Sequence, residues 1–239
     1  MPWLLLFYSL SNGLGDPFNE GVVQPLTLAP GEFQTSVFDG ARLGLEGGRG
    51  LTTGGVSSLV SPELMLTQQV FEEGSFAVAV SGGLGFPTPG LRLAQGLWFP
   101  GNVDIPPAVV GAAGISAAVS SRTFTVAGAV HGRSALIGGG RLAVLDHAWL
   151  DPYLAPLTEG WSLGTRLRLS WLPVSGGWEF IADGIAQWPA GPDLQGRLLV
   201  YRGLTEHWAI GMGVAAALES HTYGMGRHSA PLLDFKGQF

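Results

Sequence analysis

From Phe33 to Phe239 apolar and polar side chains alternate with a period of two, and neither heptads nor a 3.6-residue period interrupts them. The pattern divides into ten strands, each with one apolar face. They are Phe33–Glu46, Val56–Phe71, Ser75–Phe86, Val109–Ser120, Thr123–Leu136, Trp161–Leu172, Trp178–Trp188, Leu194–Arg202, His207–Tyr223 and Pro231–Phe239. Short turns at Glu72–Gly74, Ser121-Arg122, Val174–Gly177 and Leu204–Glu206 alternate with longer connections at Gly47–Gly55, Pro87–Pro107, Ile137–Gly160 and Gly224–Ala230. Pro189–Asp193 is the exception. Hairpins that are tight at one end and long at the other predict an all-β, antiparallel, up-and-down transmembrane barrel of about ten strands, within a range of eight to twelve.

Hairpin registers test the division. Around Ser175-Gly176, Trp171 faces Phe180, Leu169 faces Ala182 and Arg168 faces Asp183, so apolar meets apolar and cation meets anion. A turn at Ser121-Arg122 pairs Val119 with Phe124 and Ser120 with Thr123. A three-residue turn around Glu73, with Gly74 left-handed, pairs Val70 with Phe76 and Leu66 with Val80 but sets Gln68 against Val78, a local misfit.

Aromatic placement favours a membrane over water. Phe76 and Phe86, Trp161 and Trp171, and Trp178 and Trp188 each stand ten residues apart on an apolar face, the length of one tilted spanning strand. Phe71, Phe124, Trp208 and Phe239 join the short-turn belt and Tyr223 the other. Two belts around an apolar band are the girdles of a spanning barrel. The opposite faces carry Thr123, Thr125, His131 and Arg133, then Ser162, Arg166, Arg168 and Ser170, then Glu179, Asp183 and Gln187, all directed inward. Charged residues are only 13%, Gly numbers 38, and Lys236 is the one lysine. A net charge of −6 without a basic run excludes a nucleic-acid partner, and the absence of cysteine excludes disulfides, thiolate zinc and iron–sulfur clusters. No apolar run reaches the roughly 20 residues of a membrane helix, so entry into a bilayer requires a closed barrel. Residues 1–15, with the apolar Trp3–Tyr8, are expected to be a signal peptide lacking its basic start. Residues 16–32 are then a periplasmic segment and 33–239 the barrel.

The C-terminus carries a family resemblance. Phe239 ends the chain, Phe235, Leu233 and Pro231 precede it at alternate positions, and Asp234, Lys236 and Gln238 lie between them. This resembles the final strand of small bacterial outer-membrane β-barrels, except that Gly237 stands where those proteins usually have an apolar side chain. The resemblance implies a Gram-negative outer membrane as location. It also implies outer-membrane lipid as surroundings and recognition of the last strand by the barrel-assembly machinery.

Several polar groups are candidates for chemistry. Ten-stranded barrel proteases carry Asp and His at the outer rim, but their paired-aspartate and Asp-x-His motifs are absent; Asp146, His147 and Asp151 read as a solvated loop. His131 with Ser134 does not have the His-x-Ser spacing of barrel deacylases, and His221 and His228 flank a loop without a third metal ligand. The densest charged patch is Arg166, Arg168, Glu179 and Asp183, with His131 and Arg133 nearby in the interior. It is either a charge ladder along an ion path or a buried network that fills the barrel. The resulting expectation is a non-catalytic, cofactor-free barrel acting as a narrow pore or a structural or docking element. A rim hydrolase and a soluble ligand-binding β protein are the alternatives.

Overall fold

The computed structural model describes residues 28–37, 40–54, 62–86, 109–121, 123–137, 161–171, 177–188, 193–218 and 227–239. Twelve antiparallel strands form one closed barrel in which β12 returns to β1. They are β1 Phe33–Ser36, β2 Gly40–Leu45, β3 Arg49–Thr53, β4 Glu63–Glu73, β5 Phe76–Gly85, β6 Val109–Ser120, β7 Phe124–Ile137, β8 Trp161–Trp171, β9 Trp178–Trp188, β10 Asp193–Gly203, β11 Trp208–Leu218 and β12 Arg227–Gln238. The all-β closed barrel is as expected, but the count is twelve and not ten.

Both extra strands arise at the N-terminal side of the barrel. The expected strand Phe33–Glu46 doubles back as the β1–β2 hairpin, pairing Phe33 with Leu43 and Thr35 with Ala41. Gly40 takes φ 82°, the left-handed backbone with which β2 begins. Odd-numbered residues stay on one face through this reversal, so the alternation runs on unbroken. Gly47 and Gly48, at φ 72° and 68°, make a second turn. The expected loop after it is β3, which pairs Leu51 with Leu43 and Leu66. The next strand starts at Glu63 instead of Val56; residues 55–61 lie outside the described ones, as do the expected signal peptide and the loop Ile137–Gly160 apart from Ile137.

Three hairpins test the expected registers. In β8–β9, Arg168 faces Asp183, Leu169 faces Ala182 and Trp171 faces Phe180, as expected. In β6–β7 the pairs shift by two, to Val119 with Val126 and Ser120 with Thr125. Here Ser121 pairs with Phe124: the Ser121 N–H donates to the Phe124 carbonyl at 2.7 Å, and the Ser121 hydroxyl oxygen accepts the Phe124 N–H at 3.0 Å. In β4–β5 the turn is Gly74-Ser75, with Gly74 left-handed at φ 59° and Glu73 opposite Phe76. A bulge between Gln69 and Phe71 then shifts the pairing, so Gln68 faces Val80 and Leu66 faces Gly82. The Gln68 misfit marks this bulge. Its amide donates to the Gly47 and Gln69 carbonyls at 3.0 and 2.8 Å, and its oxygen accepts from Arg49 Nε at 3.1 Å.

The barrel is apolar outside and polar or small within. Leu64, Leu66, Val80, Leu84, Ile115, Leu167, Leu198 and Met212 are exposed on the outer wall. The inner wall of β4–β7 is mostly small, with Met65 packed on Ala112, Ala118, Ala127 and Ala129. The inner wall from β8 round to β2 carries Arg168, Asp183, Arg197, Asp234, Ser36 and Arg42, all buried.

Candidate functional site

The charged patch lies at mid-strand on β8, β9 and β10. Register places Arg168 opposite Asp183, and Asp183 opposite Arg197, so one carboxylate sits between two guanidinium groups. Asp183 Oδ2 accepts from Arg168 Nε at 3.1 Å, from Arg168 Nη2 at 2.7 Å and from Arg197 Nη2 at 3.1 Å. The Arg168, Asp183 and Arg197 side chains are 6%, 0% and 1% exposed. Charges this dry persist only when paired and hydrogen-bonded.

Two residues along the strands toward the short turns, Ile181 and Leu199 face each other across β9 and β10 and are buried. Another two residues on, a second polar tier begins. Tyr201, Gly211 and Asp234 form one row across β10, β11 and β12. The Tyr201 ring lies flat over Gly211, where a Cβ would come within 2.5 Å of the ring. The missing side chain lets the phenol cross a whole strand and donate to Asp234 Oδ2 at 2.6 Å. Asp234 also accepts from the Ser36 hydroxyl at 2.7 Å and from the Val37 and Phe235 N–H groups at 2.9 and 2.8 Å. The β1–β12 ladder is short, pairing Gln34, Thr35 and Ser36 with Gln238, Gly237 and Lys236. Asp234 holds its end, taking the Val37 N–H as the chain turns away. Lys236 reaches Glu179 at 2.8 Å beside the Tyr201 ring.

On the outer wall, Phe33, Phe71, Phe76, Phe124, Trp171, Trp178, Trp208 and Phe239 are exposed at the short-turn end. Trp171 stacks on Phe180 at 5.1 Å, and Trp208 meets Phe239 edge-on at 5.2 Å. Phe86 is exposed at the other end. Trp161 begins β8 and Trp188 ends β9, which places their backbones at that same end.

The architecture is a closed antiparallel barrel with an apolar outer wall and polar tiers within. No family model matches the chain, and no curated protein matches it. Among solved structures it is similar to "KdgM porin in complex with disordered oligogalacturonate", at 6% identity and a TM-score of 0.48, covering 87% of this chain and 96% of that one. It is also similar to "KdgM porin", at 8% identity and 0.47, covering 87% and 98%. Function is therefore read from this barrel's own residues.

Of the residues singled out in the sequence, Arg168 and Asp183 meet directly, while Glu179 joins Lys236 in the other tier. His131 is buried on the inner face of β7, opposite Gly114 and Gly164. Arg133 and Arg166 are placed by backbone register only, opposite Ser162 and Ile185. Asp146, His147, Asp151 and His221 lie outside the described residues. His228, expected in a loop, belongs by its backbone to β12, opposite Ala217. Among the described residues no three His, Asp or Glu side chains form a metal-ligating group. Sequence reasoning missed Arg197, Tyr201 and Asp234. Each sits at an alternate, inward position of its strand, so the alternation itself was the available signal.

Proposed function

We propose that this chain is an integral outer-membrane β-barrel of a Gram-negative bacterium. In this reading it is non-catalytic, and its interior is filled at mid-height by its own side chains. It serves as a structural or docking body with at most a narrow path through it. The observation that carries the reading is the dryness of the Arg168–Asp183–Arg197 cluster, since a wide water-filled lumen would hydrate such charges. The exposed aromatics at the short-turn end support the membrane location, that end facing the periplasm in barrels of this layout. The C-terminal Phe239 strand, in the same reading, is the segment taken up by the assembly machinery.

Two measurements test it. The full chain is expected in the outer-membrane fraction, extractable only with detergent, and with different gel mobility before and after boiling. In a planar bilayer, no porin-sized conductance steps are expected. Large, steady currents from the intact barrel would refute the filled interior, and a water-soluble monomer would refute the membrane location.

A further inference from the structure

Large side chains ridge the outer wall of β8 and β10, and the wall between them is low along β9. There the outward positions after Phe180 are Ala182, Gly184 and Ala186, and Gly196 of β10 stands opposite Gly184. Leu167 of β8 and Leu198 of β10 rise on either side and are 53% and 59% exposed. The result is an outward furrow of about 360 Å³, lined by Leu167, Leu169, Ala182, Leu198, Val214 and Ala216 and floored by the two glycines. It lies at mid-strand, between the two strand ends. At the short-turn end of the same strands Arg202, exposed and opposite Trp178, holds its guanidinium carbon 4.9 Å from the Trp178 ring centroid.

We propose that this surface binds one phosphoglyceride of the periplasm-facing leaflet, with an acyl chain in the β9 furrow and the phosphate on Arg202. The inference rests on the membrane reading above. Within a bilayer the furrow is filled by hydrocarbon, and a fixed trough between two leucine ridges gives an acyl chain contacts on three sides where a flat wall gives one. Four residues separate Arg202 from Leu198, roughly 13 Å of strand. That separation sets a headgroup at the aromatic belt while its chain enters the furrow. Guanidinium binds phosphate through paired hydrogen bonds, and its contact with the Trp178 face sets it at the level of the aromatic belt. An outward arginine at the interface costs only about 0–1 kcal/mol, so its presence there is tolerable before any lipid binds. The occupant is a lipid chain and not a second barrel. A stable protein interface needs on the order of 1,000 Å² of matched surface, whereas this trough is the width of one chain.

The test uses the full chain, wild type and the variants Arg202→Gln and Ala182→Leu, first floated with phosphatidylcholine vesicles. The proteins are then delipidated in detergent and titrated with phosphatidylglycerol under native mass spectrometry. Ala182→Leu fills the furrow without touching the interior. Wild type should retain one phosphatidylglycerol tightly. Arg202→Gln should weaken that first binding about tenfold, the loss of one charge-assisted contact. Ala182→Leu should weaken it as well, with Arg202 intact. Equal binding by all three floating proteins overturns the lipid site alone, as does a wild-type dimer that Ala182→Leu abolishes. A wild type that stays at the bottom of the gradient overturns the membrane reading with it.

Discussion

Replacing Asp183 by Asn removes a carboxylate that Arg168 and Arg197 share, without changing its shape. Both guanidinium groups then face each other in a region where their side chains are at most 6% exposed. Breaking a buried ion pair from one side typically costs about 3–5 kcal/mol, because an uncompensated charge remains. Arg168→Leu is the milder change, since Asp183 keeps Arg197 at 3.1 Å. The loss there is about 1.5–3 kcal/mol, the worth of hydrogen bonds to a charged group. In the double variant only Arg197 stays charged, so the two losses should not add. The shortfall should be about 2 kcal/mol, within the range for residues that share one network. The assay is urea unfolding of the barrel in detergent micelles, followed by tryptophan emission and by the heat-dependent gel shift. If Asp183→Asn costs less than about 1 kcal/mol and the cycle shows no coupling, the cluster behaves as a solvated surface pair. The interior is then wet, and the filled-barrel reasoning fails.

Further outcomes follow from the second tier and the turns. Gly211→Ala puts a methyl 2.5 Å from the Tyr201 ring and should cost about 1–3 kcal/mol in the same assay, with Tyr201→Phe adding little in that background; full additivity would refute the crossing phenol. Asp234→Asn should speed amide exchange of Gln34–Ser36 and Gly237 while leaving β6–β7 unchanged, and a uniform increase would argue against Asp234 as the seam's fastening. Ser121→Ala removes the hydroxyl that accepts the Phe124 N–H, and a loss of about 1 kcal/mol is expected. No loss would favour a turn centred on Ser121-Arg122.

The barrel was legible because its strands must show one face to lipid and the other to the interior, and alternation records that directly. Trp178–Trp188 and the β8–β9 register follow from it without adjustment, since charge and aromatic pairs both fix that hairpin. The β1–β2 reversal was hidden for the same reason that the rest was visible. A hairpin in which Phe33 meets Leu43 preserves parity, so period-two reading passes straight through it. The signal was Asp39-Gly40, a turn dipeptide inside an otherwise regular run, with Gly47-Gly48 following shortly after. The β4–β5 bulge was visible only as the Gln68 mismatch, because a bulge alters pairing while leaving the composition of the strand intact.

The interior network was legible pair by pair and illegible as a network. Arg168 and Asp183 belong to adjacent strands joined by a tight turn, and a register constrains them. Tyr201 and Asp234 are separated by a whole strand, and their contact depends on an absence, the side chain that Gly211 lacks. A glycine in a Gly-rich barrel carries no mark of that purpose. The same logic orders the interior energetically. Asp183 accepts from two guanidinium groups, and Asp234 accepts from two hydroxyls and two backbone N–H groups among its partners. Satisfying Val37 at the end of a short β1–β12 ladder therefore does two things with one carboxylate. It completes the backbone at the end of that ladder, and it ties the last strand to the first through a buried residue.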